Sequence, residues 1–298
     1  MKKLLCTAAC LALGLATSAL AAPTPALPDV DPALWVVKDK DTTVYLFGTV
    51  HGLDGKSDWF NDEVKAAFDK SGEVYLEAIL PDNPAELQPI MMKHGMDPAG
   101  KSLGSKLTPD VKAKLEKVGP ELGLPASAVL GSPMEPWMLN LTIGALAAMK
   151  AGLNPEFGAD KQILKSARAA GKKVGELEGA EFQFSLFDKV PEALQVKQLG
   201  QTLDQMAQFK PLLTAMVGHW NKGDAEGLGK LLNQSAEQMP EFYKMVLTDR
   251  NATWAEWIDK RMDQPGTVFV AVGAGHLAGR DSVQSMLKTK GLRAKRVR

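Results

Sequence analysis

The sequence has 298 residues, of which 45% are hydrophobic and 23% are charged. Its 35 basic and 35 acidic side chains balance, so it lacks the basic excess that is typical of nucleic-acid-binding proteins. The composition excludes collagen-like, low-complexity and strongly charged disordered proteins. Length and composition together suit a globular protein of one large or two modest domains.

The N-terminus has the pattern of a secretory signal peptide. Lys2 and Lys3 precede an apolar run over 4–20, and residues 19–21 have the A-x-A form of a cleavage site. We predict a signal peptide over residues 1–21 and a mature protein that is periplasmic or secreted by a bacterium. The alternative is a permanent membrane anchor, but about 17 apolar residues are at the short limit for a span.

Both cysteines, Cys6 and Cys10, lie within this predicted signal peptide. The mature chain is then free of thiols, so it offers neither disulfides nor thiolate ligands. A lipoprotein attached through Cys10 is the less favoured alternative, because the apolar run before it is short. An Ala/Pro-rich segment over 22–33 predicts a flexible lead-in, and the folded domain is predicted over 34–298.

Hydrophobic patterning predicts an α/β fold with strands near both ends of the chain. The predicted strands cover residues 34–37, 42–47, 73–80, 172–177, 267–272 and 292–298. The predicted helices cover residues 58–71, 137–149, 159–170, 180–188, 191–209, 211–221, 224–237, 240–262 and 280–290. We therefore expect a mixed or parallel sheet with a helical middle insertion, in which 137–149 forms a buried core helix.

Two segments at opposite ends of the chain share one pattern. A hydrophobic strand runs into Gly48-x-x-His51, and another runs into Gly273-x-x-His276. Glycine allows the chain to turn sharply where the strand ends. Each histidine is then displayed at the carboxyl edge of the sheet, where α/β proteins usually build their sites. One such histidine is more often structural, but the matched pair favours a functional role.

Glu77 lies in the apolar stretch 74–80. A carboxylate buried there costs several kcal/mol unless it is paired or binds a metal, and the alternatives are an exposed edge strand or an ion pair. His51, Glu77 and His276 together make a three-ligand site with a position left for water. We predict that they hold a divalent ion, manganese, cobalt or zinc, which supports hydrolysis of a carbonyl compound.

Several motifs occur in the order seen in TraB/GumN proteins. They are the two Gly-x-x-His turns, the strand that carries Glu77, and segments 157–160, 175–178 and 249–255. From about Leu34 onward the chain resembles this family. The resemblance implies an EreA/ChaN-like fold, comparable to erythromycin esterases and to haem-binding ChaN proteins. It also implies similarity to Tiki proteins, which are regarded as proteases that depend on manganese or cobalt.

The resemblance places the same three ligands at the centre and gives supporting roles to Glu178, Arg250 and Asn251. Arg250 would bind a substrate carboxylate or a developing oxyanion, or else it simply pairs with Asp249 or Glu256. Glu178 would orient a histidine, act as a general base or remain a surface acid.

Three other polar residues are open to simpler interpretations. Asp160 is either a helix cap or a site residue. His94 and His219 have no matching motif and are predicted to be structural.

The favoured function is an exported metal-dependent hydrolase, similar to a peptidase or an esterase. Its expected partner is a peptide or a small ester or amide, with no nucleic acid and no permanent membrane span after cleavage. The alternatives are an extracytoplasmic haem or small-ligand carrier without turnover, and a non-catalytic scaffold of the cell envelope. The oligomeric state stays open.

Overall fold

The structure, a computed structural model, describes residues 26–81 and 83–297. The predicted signal peptide, residues 1–21, lies outside the described residues. The described part of the predicted lead-in is tied to the rest of the chain, because the Val30 N–H donates to the Asp58 carbonyl at 3.1 Å. The Asp31 N–H likewise donates to the Asn221 carbonyl at 2.9 Å.

One mixed sheet runs through the described part of the chain. Its strands are β1 Leu34–Lys38, β2 Thr42–Thr49, β3 Glu73–Leu76, β4 Lys173–Glu176, β5 Gly266–Gly273 and β6 Lys295–Arg296. They lie in the order β4-β3-β5-β2-β1-β6. Strands β4, β3, β5 and β2 are mutually parallel, whereas β1 is antiparallel to both β2 and β6. The predicted mixed α/β class is therefore confirmed.

Strand β5 lies between β2 and β3 and aligns their carboxyl ends. Ala271 pairs with Phe47 on one side and with Leu76 on the other, and Gly273 pairs with Thr49. The middle of β5 is at most 1% exposed, as expected for a central parallel strand covered on both faces. The three strands consequently end at nearly the same level of the sheet.

Helices account for most of the remaining chain. They are α1 Asp62–Lys70, α2 Gln88–Gly95, α3 Leu103–Lys106, α4 Pro109–Val118, α5 Ala126–Gly131, α6 Pro136–Lys150, α7 Ala159–Ala169, α8 Ala180–Asp188, α9 Glu192–Asp204, α10 Met206–Asn221, α11 Ala225–Gln238, α12 Pro240–Tyr243, α13 Asp249–Met262 and α14 Val283–Thr289. None of the described helices is long and apolar enough to cross a membrane.

The sheet separates two hydrophobic cores. Phe47 and Phe269 face one side and pack with α1, α7 and α10, whereas Leu46 and Val270 face the other side and pack with α13 and α14. This alternation follows from the two-residue period of a strand. A third core, away from the sheet, joins α3, α4, α6 and α9.

Several elements differ from the sequence-based expectations. Helix α6 buries only one face and leaves Leu141 and Met149 42% and 57% exposed, so it is not wholly a core helix. Strand β3 ends at Leu76 rather than at residue 80, and α10 continues through Pro211. The helix predicted over 240–262 is interrupted by a π-helical turn, Lys244–Thr248.

Candidate functional site

Four polar side chains follow the carboxyl ends of the four parallel strands. Glu77 comes directly after β3, His51 comes two residues after the end of β2, and Glu178 comes two residues after the end of β4. His276 lies in the 3-10 turn Ala274–Leu277 that follows β5. Because parallel strands end at one edge of a sheet, these residues gather there, and the group is here called the strand-end cluster. Glu77 thus lies at the end of its strand and not within it.

Arg250, in the first turn of α13, joins two of these strand ends. Its Nη2 lies 2.7 Å from Glu77 Oε2 and 2.8 Å from Glu178 Oε2, and its Nε lies 3.0 Å from both Glu178 oxygens. The side chains of Arg250, Glu77 and Glu178 are only 11%, 13% and 5% exposed. The simpler interpretation, a pair with Asp249 or Glu256, is not the one observed, since both of those acids pair with lysines.

Neighbouring groups fix the guanidinium of Arg250 in place. It lies 4.8 Å from the Trp254 ring, and its Nη1 donates to the Val246 carbonyl in the π-helical turn at 3.0 Å. Gln183 Nε2 lies within 3.3–3.4 Å of both glutamates that Arg250 binds. The buried charges are therefore paired and hydrogen-bonded, which is the condition under which a protein tolerates them.

His276 is held in one tautomer. Asn251 Nδ2 donates to the Asp281 carbonyl at 2.7 Å, so Asn251 Oδ1 faces His276 and accepts from its Nδ1–H at 2.6 Å. The unprotonated Nε2 then lies 3.1 Å from Arg250 Nη1 and 3.7 Å from Glu77 Oε1. Burial, opposed by the charge of Glu77, lowers the pKa of His276 to about 3. The imidazole is neutral at pH 7.

Glu77 is a buried carboxylate that stays ionised. Burial favours its neutral form, but His276, Arg250, His51 and the Gly273 N–H outweigh that effect and lower the pKa of Glu77 to about 2. The Gly273 N–H donates directly to Glu77 Oε1, so the second Gly-x-x-His turn also binds this carboxylate through its backbone. A negative charge is consequently fixed beside the neutral imidazole.

His51 lies at the rim of the cluster, with its side chain 73% exposed. Its Nδ1 lies 3.1 Å from Asp160 Oδ2, and this hydrogen bond raises the pKa of His51 to about 9. Asp160 makes no cap hydrogen bond at the start of α7, where the N-cap residue is Gly158. Of its two predicted roles, the contact with a site residue is the one observed.

Gly158 supports His51 through close backbone approach. A Cβ at position 158 would lie 2.5 Å from the His51 carbonyl oxygen. We expect Gly158→Ala to lower the free energy of unfolding by about 1–3 kcal/mol, because the backbone of the His51 turn must shift. Gly218→Ala, in α10 with nothing within 4 Å, is the control and should be neutral or stabilising. Denaturant unfolding measures both, and equal stability of the two variants would contradict this expectation.

The pKa of His276 predicts a pH dependence of stability in protein kept free of metal. The unfolded state takes up a proton as the pH falls below about 6.5, whereas folded His276 does so only near 3. The contribution of His276 to the free energy of unfolding is thus complete above pH 6.5. It is lost as the pH falls, with a slope of up to about 1.4 kcal/mol per pH unit. Glu77 adds a further loss as the pH falls from about 4.5 to about 2.

Comparison of two histidine variants between pH 6.5 and 4.5 tests this expectation. His276→Gln should remove most of the slope of unfolding free energy against pH, because the group that resists protonation is gone. His219→Gln should keep the slope, since His219 pairs with Asp224 outside the site. Parallel slopes for the wild type and His276→Gln would disprove the assignment.

The donors suit a divalent ion, but the structure brings together only two of the three predicted ligands. Glu77 Oε1 and His276 Nε2 are 3.7 Å apart, which one ion can bridge, since two bonds of about 2.1 Å span about 4.2 Å. Asn251 and Asp160 hold the Nδ1 atoms of the two histidines, as partners of metal-binding imidazoles do. Neither ring nitrogen of His51 lies within 4.8 Å of both of these atoms.

Among the described residues, one group of three acids has carboxylate oxygens that all lie within 4.8 Å of one another. It comprises Asp29, Asp31 and Asp62, two of which are exposed. These carboxylates lie outside the strand-end cluster, and exposed acidic groups are common in proteins without a bound ion.

Sequence analysis missed three contributors to the site. Gln183 bridges the two glutamates. Trp254 packs against Arg250 and against the His276 ring, whose centroid is 4.3 Å away, and the Val246 carbonyl in the π-helical turn accepts from Arg250. A π-turn at a functional site is a recurrent feature, but no residue pattern in 244–248 announces it. The predicted structural histidines His94 and His219 lie against acids elsewhere.

Two cavities open onto the cluster. The first, here called the site cavity, has a volume of about 460 Å³ and is lined by His51, Glu77, Asp160 and Gln183 among others. The second has a volume of about 420 Å³ and is lined by Glu178 and Arg250 among others. Both volumes lie in the range of small-molecule sites, about 300–1,000 Å³.

A family model covers nearly all of the described chain. The model of the TraB/PrgY/gumN family matches residues 33–296, which include all six residues proposed for the site. The chain belongs to this family.

Individual relatives are distant. The chain is 29% identical over 191 residues to the uncharacterized protein YbaP of Escherichia coli, a match covering 64% of this chain and 70% of YbaP. It is 26% identical over 316 residues to Metalloprotease TIKI1 of Danio rerio and 24% identical over 318 residues to that of Homo sapiens. These matches cover 88% and 90% of this chain but only 62% of each TIKI1 protein. No solved structure matches the chain.

Proposed function

We propose that this chain is an exported metal-dependent hydrolase, similar to a peptidase or an esterase, in which His51, Glu77 and His276 hold the ion. The observation that carries the proposal is the convergence of an ionised carboxylate and a neutral, oriented imidazole at the carboxyl edge of the sheet. Manganese, cobalt and zinc all suit nitrogen and oxygen donors. The metalloprotease relatives support this choice.

Each supporting residue has a distinct task in this proposal. A divalent ion, when bound, supplies Lewis acidity that polarises a carbonyl group and activates water. Asn251 holds His276 in the tautomer that leaves Nε2 unprotonated, 3.1 Å from Arg250 Nη1 and 3.7 Å from Glu77 Oε1. Arg250 offers a fixed cation to the negative charge that develops on a carbonyl oxygen, and Glu178 orients Arg250 through paired hydrogen bonds.

Metal analysis of the purified chain tests the proposal. We expect about one manganese, cobalt or zinc ion per chain, and loss of the ion in His51→Ala, Glu77→Gln and His276→Ala, since each removes a ligand. His219→Ala, a histidine outside the site, should keep the ion. Hydrolysis of a mixed set of peptides and esters should stop when a chelator is added and return when the metal is restored.

Two outcomes would assign the ion or the ligand differently and so overturn the proposal. One is full metal occupancy in the His51→Ala/His276→Ala double variant, which would place the ion elsewhere, for example at Asp29, Asp31 and Asp62. The other is a stoichiometric haem spectrum that disappears in His51→Ala without any hydrolysis, which would favour a ChaN-type carrier. A folded protein with neither metal nor ligand would favour a scaffold.

We further propose that the protein is periplasmic or secreted, with cleavage after Ala21, and that its fold is related to those of erythromycin esterases and ChaN proteins. Support for export is the pattern of residues 1–21. Mass spectrometry of the N-terminus, after fractionation of bacterial cells that express the full chain, tests this point. An intact Met1 in the soluble cytoplasmic fraction would contradict it.

A further inference from the structure

A third cavity, about 410 Å³ in volume, lies beside the cluster and is here called the apolar cavity. Residues 49–52 of the first Gly-x-x-His turn and 273–275 of the second line it. Helices α6 and α10 provide the facing walls. The cavity is therefore built on the two turns that carry the site histidines.

The lining of this cavity is almost free of charge. The side chains from its two helices are Ala145, Ala148, Met149, Leu213, Met216 and Val217. His51 is the one titratable residue among all those that line it. His51 is already paired with Asp160, so a charged group would lose its hydration here without a free partner among the lining residues, and the cavity suits an uncharged, apolar group. Met149, one of the two apolar side chains that α6 leaves exposed, is part of this lining.

The apolar cavity adjoins the site cavity, because the two share lining residues. Thr49, His51 and Pro155 line both the apolar cavity and the site cavity. The site cavity has a different character, because Glu77, Gln183 and other polar residues line it alongside apolar ones. A ligand that spans both cavities thus needs an apolar group on one side of His51 and hydrogen-bonding groups on the other.

We propose that the apolar cavity binds a large, uncharged side chain of a peptide residue, for which leucine is the probe, next to the amide bond that lies at His51 and Glu77. This inference rests on the proposed hydrolase function and specifies its substrate class. A peptide fits because it combines an apolar side chain with a polar backbone over a short distance.

Blocked tripeptides of the form acetyl-Gly-X-sarcosine-amide are the probes, because the N-methylated bond after X resists hydrolysis. Their Kd values are measured by ligand-observed NMR on the full chain as purified. Leucine at X should bind about 10- to 100-fold more tightly than glycine, the gain expected from burying one such side chain. Aspartate at X should bind no better than glycine.

Two variants and one control locate the preference. Ala145→Trp fills the cavity and should abolish the advantage of leucine, while Met216→Gln, which keeps the side-chain length, should reduce it several-fold. Ala128→Trp places the same ring on an exposed alanine of α5 and should leave the advantage unchanged. Equal affinities for leucine and glycine in the wild type, or an unchanged preference in Ala145→Trp, would overturn the proposal.

These measurements separate the two proposals. A leucine preference that Ala145→Trp removes, in a protein with no metal-dependent hydrolysis, would support the apolar cavity and refute the hydrolase. Metal-dependent hydrolysis without any side-chain preference would do the reverse. Binding of decanoate that Ala145→Trp abolishes, with no binding of the leucine tripeptide, would identify an acyl ligand and overturn the peptide assignment.

Discussion

Replacement of Arg250 by methionine is expected to lower the free energy of unfolding by about 3–5 kcal/mol. The guanidinium is the shared partner of Glu77 and Glu178, both of which are largely buried. Its removal leaves two carboxylates close together and without a cation. Methionine keeps much of the packing against Trp254, so the loss reports chiefly on charge. Denaturant unfolding in the presence of a chelator measures the effect.

Two further variants make this result interpretable. Lys65→Met removes an exposed ion pair with Asp69 on α1 and should cost less than about 1 kcal/mol. Arg250→Met/Glu178→Gln removes one of the two carboxylates that Arg250→Met leaves without a cation, so the double variant should be more stable than Arg250→Met alone. An Arg250→Met loss no larger than that of Lys65→Met, or a double variant less stable than the single one, would contradict the buried network.

Asn251→Ala is expected to weaken metal binding about 10- to 100-fold, the usual cost of losing the partner that orients a ligating histidine. Asn251 is 1% exposed and fixes both the tautomer and the direction of the His276 ring. Without it, the neutral imidazole can place its proton on Nε2, where it no longer offers a lone pair. Calorimetric titration of the apo protein with manganese, cobalt or zinc measures the change.

Asn140→Ala provides the matched control, because Asn140 lies on α6 away from the strand-end cluster. It should bind metal as tightly as the wild type. If Asn251→Ala also keeps the wild-type affinity, then His276 is not a ligand that depends on its Nδ1 partner. A large loss in both variants would indicate a general effect on folding, which thermal melting of each variant identifies.

The strand-end cluster could be predicted in part because neighbouring residues in the sequence position each of its histidines. A strand followed by Gly-x-x-His positions a histidine by its own backbone, and parallel pairing brings both copies to one edge. Glu77 was found for a similar reason, since a charge within an apolar stretch needs a partner. The α/β class follows from the same hydrophobic periods, which fix element type more firmly than element ends.

The pairings within the cluster depend on distant contacts, which residue patterns do not encode. Arg250 meets Glu178 and Glu77 across separations of 72 and 173 residues. The turn of His51 toward Asp160 is set by the approach of the loop before α7. Pro211 favours a helix boundary in isolation, yet α10 continues through it, since tertiary packing overrides local preference.

The position of β5 in the sheet has a consequence for biosynthesis. This strand separates β2 from β3, although 196 residues divide Glu77 from Gly273 along the chain. During translation the early hairpin and the β3–β4 pair therefore lack the strand that joins them. Closure of such a long loop is expected to be slow. A chain in which β5 has not yet joined the sheet thus carries the residues of the strand-end cluster without bringing them together.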